Sequence, residues 1–96
     1  GRTLNLGVVK QGTIVTGKMV ISNKGQNALE LRRIINNNRE LSLRADRVSV
    51  SSGKSHDLKI ELNSKTQVEG DYKRYITVQT NDPDNSFVML IITWKV

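Results

Sequence analysis

The chain contains no cysteine. Disulfides, reactive thiols and cysteine-ligated zinc are therefore excluded, and the redox compartment leaves no mark on the sequence. His56 is the only histidine, so no histidine-based metal spacing exists. Its neighbours Ser55 and Asp57 complete a set of hydrolase residue types. Adjacent residues on an extended chain point to opposite sides, however, and cannot align as nucleophile, base and orienter. No Gly-x-Ser-x-Gly elbow or phosphate-cradling glycine loop occurs elsewhere. The acidic residues mostly sit beside Lys or Arg, as on a solvated face. These gaps argue against an enzyme.

Aromatic residues are equally scarce: Tyr72, Tyr75, Phe87 and Trp94 are the whole set, and none lies in residues 1–71. Single-stranded nucleic acid is usually held by basic groups interleaved with stacking aromatics. Arg32, Arg33, Arg39, Arg44 and Arg47 lack that company, so nucleic acid is disfavoured as a partner. No apolar run reaches the roughly 18 residues of a membrane span. No secretory leader is visible, and Gly1 reads as the start of a trimmed chain. Acids are missing from residues 1–27, which carry Arg2, Lys10, Lys18 and Lys24, whereas residues 64–96 balance four basic against four acidic groups. The formal charge of +6 reads as a solubilising surface. Attraction to nucleic acid, anionic glycan or lipid headgroups is the alternative.

What remains is strand-forming. Ninety-six residues fit one domain, with an apolar fraction of 36% weighted toward Val, Ile and Leu. Strands are expected near 4–9, 13–23, 28–36, 41–50, 56–63, 71–80 and 86–96, separated by turns rich in Gly, Asn, Asp and Ser. Alternation assigns Val15, Met19 and Ile21 to one face of the second strand. Leu58, Ile60 and Leu62 share a face of the fifth, and Tyr72, Ile76 and Val78 a face of the sixth. Seven short strands in this pattern imply an all-β, two-sheet sandwich.

The stretch TNDPDNSF, from Thr80 to Phe87, invites a calcium reading, since Asp82, Asp84 and Ser86 have the spacing of the first EF-loop ligands. Such a loop also needs Gly at its sixth position and Glu at its twelfth, where this chain has Phe87 and Thr93. A hairpin turn accounts for every residue instead. Asn81 and Asp82 can bond nearby backbone, and Pro83 presets a turn.

Several stretches together resemble a known family. They are LNLGVVKQG, ISNKGQNALEL, the turn glycine Gly53, and EGDYKRYITVQTNDPDNSF. They are similar to the immunoglobulin-like domains of the Hydin and major sperm protein type, and most of all to the bacterial cell-envelope branch. Leu4, Gly7, Val9, Gly12, Ile21, Asn23, Gly25, Leu29, Leu31, Gly70 and Thr80–Asn81–Asp82–Pro83 carry the match. The resemblance implies a seven-stranded immunoglobulin-like β-sandwich without catalytic machinery or cofactor, set in the periplasm or cell envelope. It also implies a single domain over 1–96 that belongs to a longer or tandem protein. Many bacterial members carry Cys-Gly-Cys where this chain has INNNREL, so no thiol role transfers.

In such a strand order the third, sixth and seventh strands share a sheet. With Leu29, Leu31, Ile35, Ile76, Val78, Leu90 and Trp94 facing the core, the opposite face carries Ile34, Tyr75, Phe87, Met89 and Ile91, with Arg32 at its edge. Apolar, aromatic and arginine residues are enriched at interface centres. These six residues are the expected contact surface for a protein partner or a neighbouring domain. Two alternatives stay open. One is a basic ligand binder using the arginines of residues 32–47. The other is a periplasmic chaperone holding a strand along an unpaired sheet edge.

Overall fold

The computed structural model describes residues 2–43 and 48–96. Eight strands run in chain order: β1 (Thr3–Val8), β2 (Ile14–Ser22), β3 (Leu29–Ile35), β4 (Leu41–Leu43), β5 (Val48–Val50), β6 (Ser55–Asn63), β7 (Asp71–Thr80) and β8 (Phe87–Lys95). A five-stranded sheet in the order β1-β8-β7-β3-β5 packs on a three-stranded sheet in the order β2-β6-β4. The all-β sandwich follows from the alternation. β6 buries Leu58, Ile60 and Leu62 and exposes Lys59 and Glu61, while β8 buries Val88, Leu90, Ile92 and Trp94. Each such aliphatic side chain taken from water contributes roughly 1.5–3 kcal/mol.

Two expectations need correction. The fourth strand, expected over 41–50, is two strands in different sheets: β4 pairs with β6, and β5 with β3. The chain changes sheets between them, and residues 44–47 of the expected strand lie outside the described residues. The second correction concerns β3. Leu31 pairs with Thr80 and Arg33 with Gln79, so Arg32 is an extra residue with no partner of its own. Such a β-bulge advances the side-chain alternation by one residue. Beyond it Ile34 pairs with Val78 and packs on the core, and Ile35 pairs with Thr77 on the outer face. The expected assignment of these two isoleucines is reversed.

The turn residues hold the sheets in place through side chains. Asn23 is buried; its Nδ2 donates to Asn27 O at 2.7 Å and Val50 O at 2.8 Å, and its Oδ1 accepts from Gly25 N at 2.9 Å. It thereby ties the end of β2 to β5 in the other sheet. Asn81 does the same for the β7–β8 hairpin: its Oδ1 accepts from Glu30 N at 2.8 Å and its Nδ2 donates to Ala28 O at 3.0 Å. The side-chain amide continues the backbone ladder where β7 ends. Within the hairpin, Asp82 accepts from Asp84 N at 3.0 Å and from Asn85 Nδ2 at 3.3 Å. Thr80 to Phe87 is a turn that clamps itself and β3.

Gly17 has a packing role. A Cβ there would come within 2.5 Å of Leu6 Cδ2 and 2.8 Å of Leu4 Cδ2, so β1 crosses β2 closely enough to demand glycine or a shift of both leucines. At the far end of the core Trp94 donates to Gln67 Oε1 at 2.7 Å and stacks on Tyr72 with centroids 5.4 Å apart. Arg74 lies over the Tyr72 ring and bonds Glu40 Oε1 at 2.9 Å. These polar groups close the core rather than open a site.

Candidate protein-docking face

Register places the outward side chains of the large sheet in rows. Arg33, Gln79 and Phe87 form one, followed by Ile35, Thr77 and Met89. Next come Tyr75, Ile91 and Thr3, then Lys73, Thr93 and Asn5. Phe87, Met89 and Tyr75 are 62%, 54% and 47% exposed. Ile91 and Ile35 are half-buried between them. The strip follows β8, because every second residue of Phe87–Ile91 must face outward once Val88 and Leu90 face in.

Of the six residues expected at this surface, the structure brings Tyr75, Phe87, Met89 and Ile91 together. Arg32 is exposed at the bulge, where its Nη2 lies 3.3 Å from Glu30 Oε2. Ile34 is a correction: the bulge turns it to the core, and it leaves the surface. Ile35, first assigned to the core, takes its place. The two consecutive arginines at the bulge were the signal, since a half-buried strand rarely spends two successive positions on exposed charge.

The outer face of the small sheet differs. It presents Thr16, Lys18, Lys59, Glu61 and Ser42, with Lys18 Nζ 3.4 Å from Asp57 Oδ2. Ile14 and Val20 are exposed there, separated by Thr16 and Lys18.

The alternatives gain unequal support. Arg32 and Arg33 lie on the large sheet, Arg39 in the β3–β4 loop, and Arg44 and Arg47 lie outside the described residues. β1 covers β8 from Ile91 to Lys95 in parallel pairing, and Ile91 N donates to Arg2 O at 2.9 Å. Beyond Arg2 no described residue pairs with that edge of β8 at Phe87–Met89. Beside it a cleft of about 530 Å³ opens between the sheets, lined by Met19, Leu31, Val78, Val88 and Leu90 together with Arg2 and Lys24. Among the described residues, no three acidic or histidine side chains gather as a metal site. No described helix is long and apolar enough to cross a membrane.

A family model described as HYDIN/CFA65/VesB-like, Ig-like domain matches residues 1–92. The chain belongs to this Ig-like family. Known structures agree with the fold of this Ig-like domain. A protein of unknown function from Porphyromonas gingivalis W83 superposes with a TM-score of 0.84 at 20% identity, over 99% of this chain and 44% of its own. The VesB protease of Vibrio cholerae gives 0.78 at 17% identity, over 99% and 30%. The ASH/PapD-like domain of human CEP192 gives 0.74 at 8% identity, over 98% and 80%. At these identities the likeness is one of fold. The Ig-like domain spans less than half the length of the first two chains. No curated protein sequence matches it.

Proposed function

We propose that this Ig-like domain is a non-catalytic binding or scaffolding module that docks a protein partner or an adjacent domain. The docking surface is the strip of Tyr75, Phe87, Met89 and Ile91, joined by Ile35. One observation carries the reading: three of the largest apolar side chains in the chain stand about half or more exposed, side by side, on one sheet face. Contiguous apolar surface of this kind marks interaction sites on soluble proteins. An exported, envelope setting within a longer protein is part of the same proposal. It is supported by the fold shared with VesC, a secreted serine protease of Vibrio cholerae, in which the matching region is 21% of the chain.

The test compares Phe87→Ser/Met89→Ser with Lys18→Ser/Glu61→Ser on the opposite face. Envelope proteins retained by the wild type are identified, purified and re-measured by calorimetry. The first variant is expected to lose binding while melting like the wild type, and the second to keep it. Full binding by Phe87→Ser/Met89→Ser contradicts the reading.

The edge of β8 at Phe87–Met89, with which no described residue pairs, favours a second reading, in which the partner adds a strand there and inserts side chains into the cleft. Met89 N–H points to that edge, since Ile91 N does and the direction repeats every second residue. Met89→Pro would block strand addition and Met89→Ala would not. Equal binding by the two variants eliminates the strand reading.

A further inference from the structure

The charges around the strip specify the partner further, on the premise that the strip is the docking surface. Glu30 is held by Arg32 at 3.3 Å, and Asp71 stands opposite Lys95 across the β7–β8 ladder. None of the described ion pairs involves Arg33, Lys73, Lys95 or Asp71, so the face carries three cations and one carboxylate outside ion pairs. Arg33 lies in the row of Phe87, and Lys73 lies in the next row below Tyr75. Both are cations, and they flank the apolar strip at its two ends. Lys73 Nζ sits 5.8 Å from the Tyr75 ring centroid, so its charge is directed over the patch.

We infer that the partner is a different protein, presenting an apolar centre between acidic side chains that meet Arg33 and Lys73. Like charges facing each other across an interface are repulsive, and opposite ones set orientation and association rate. A second copy of this chain fits poorly, because it would bring the same cations and a single carboxylate outside an ion pair, Asp71, which already faces Lys95. A bilayer fits poorly as well. Phe87, Met89 and Tyr75 lie within sheet strands with 38–53% of each already covered by neighbours, not on a projecting loop that could enter the headgroups.

The experiment selects ligands without assuming their composition. A phage-displayed library of random peptides is panned against the whole chain. Enriched peptides are synthesised and titrated against wild type, Phe87→Ser/Met89→Ser and Arg33→Glu/Lys73→Glu. The expected peptides combine apolar residues with Asp or Glu. Their binding should vanish in the serine variant and fall about tenfold or more in the charge-reversed one. Affinity should also drop between about 0.01 M and 0.15 M salt, where the Debye length shrinks from about 30 to about 8 Å. Phe87- and Met89-dependent peptides that lack acids and ignore Arg33→Glu/Lys73→Glu overturn the charge inference and leave the docking surface standing. The absence of any ligand dependent on Phe87 and Met89 overturns the docking surface itself. A wild-type dimer in sedimentation that Phe87→Ser/Met89→Ser dissolves assigns the strip to a second copy. Binding to vesicles of phosphatidylglycerol that the same variant abolishes assigns it to a membrane. Either result overturns the inference.

Discussion

The two outer faces of this sandwich are built by the same alternation and end with opposite surfaces. On the small sheet, β2 and β6 turn Lys18, Asp57, Lys59 and Glu61 to solvent, as a strand with one buried face should. On the large sheet, β8 turns out Phe87, Met89 and Ile91 from a strand that is apolar on both sides. Folding requires only the inner half of β8. The outer half adds nothing to the core, and this contrast is what supports the proposed docking surface. It also separates two kinds of apolar residue that composition alone treats alike.

The sharpest way to break this contrast is to compare neighbours on one strand. Leu90→Ala should destabilise by about 2–5 kcal/mol, since it empties a fully buried site. Met89→Ala should change stability by no more than about 0.5 kcal/mol. Urea denaturation measures both, and comparable losses would mean that the outer strip is structural. Next in size is the link between the sheets. Asn23→Ala strands the Val50 and Asn27 carbonyls and the Gly25 N–H, at an expected cost of about 2–3 kcal/mol. A loss of less than about 0.5 kcal/mol, the scale of a surface change, would show that water replaces the amide freely.

The bulge sets the third comparison. Ile34→Ala should cost about 2 kcal/mol as a core truncation, and Ile35→Ala less than about 1 kcal/mol. The reverse order would restore unbroken alternation through Arg32. The smallest effect belongs to the charged face. A double-mutant cycle on Lys18 and Asp57, both more than half exposed at 64% and 56%, should yield no more than about 0.5 kcal/mol, falling with salt.

The strongly patterned strands were legible in the sequence. β6 and β8 alternate without interruption, and both faces of β8 were assigned correctly from pattern alone. The β3 assignment failed because a bulge inserts one residue without any glycine to mark it. After Arg32 every inward position becomes outward, so Ile34 and Ile35 exchanged places. The division of the fourth strand was hidden for a related reason. Leu41, Leu43, Val48 and Val50 all look like strand residues, and a change of sheet between them leaves that composition intact. Asn23 and Asn81 read as turn formers, which they are. Their bonds to Val50, Ala28 and Glu30 depend on tertiary contact and could not be inferred from local chemistry. Four of the six expected surface residues came together because β7 and β8 pair in unbroken register.

The most direct test of the account is amide chemical-shift mapping on the isotope-labelled protein, titrated with a ligand selected against the whole chain without bias toward either face. Perturbations are expected to centre on Tyr75, Phe87, Met89 and Ile91 and to reach Arg33 and Lys73, with Thr16, Lys18, Lys59 and Glu61 unmoved. Perturbations centred on β2 and β6, with the β8 strip silent, would contradict it.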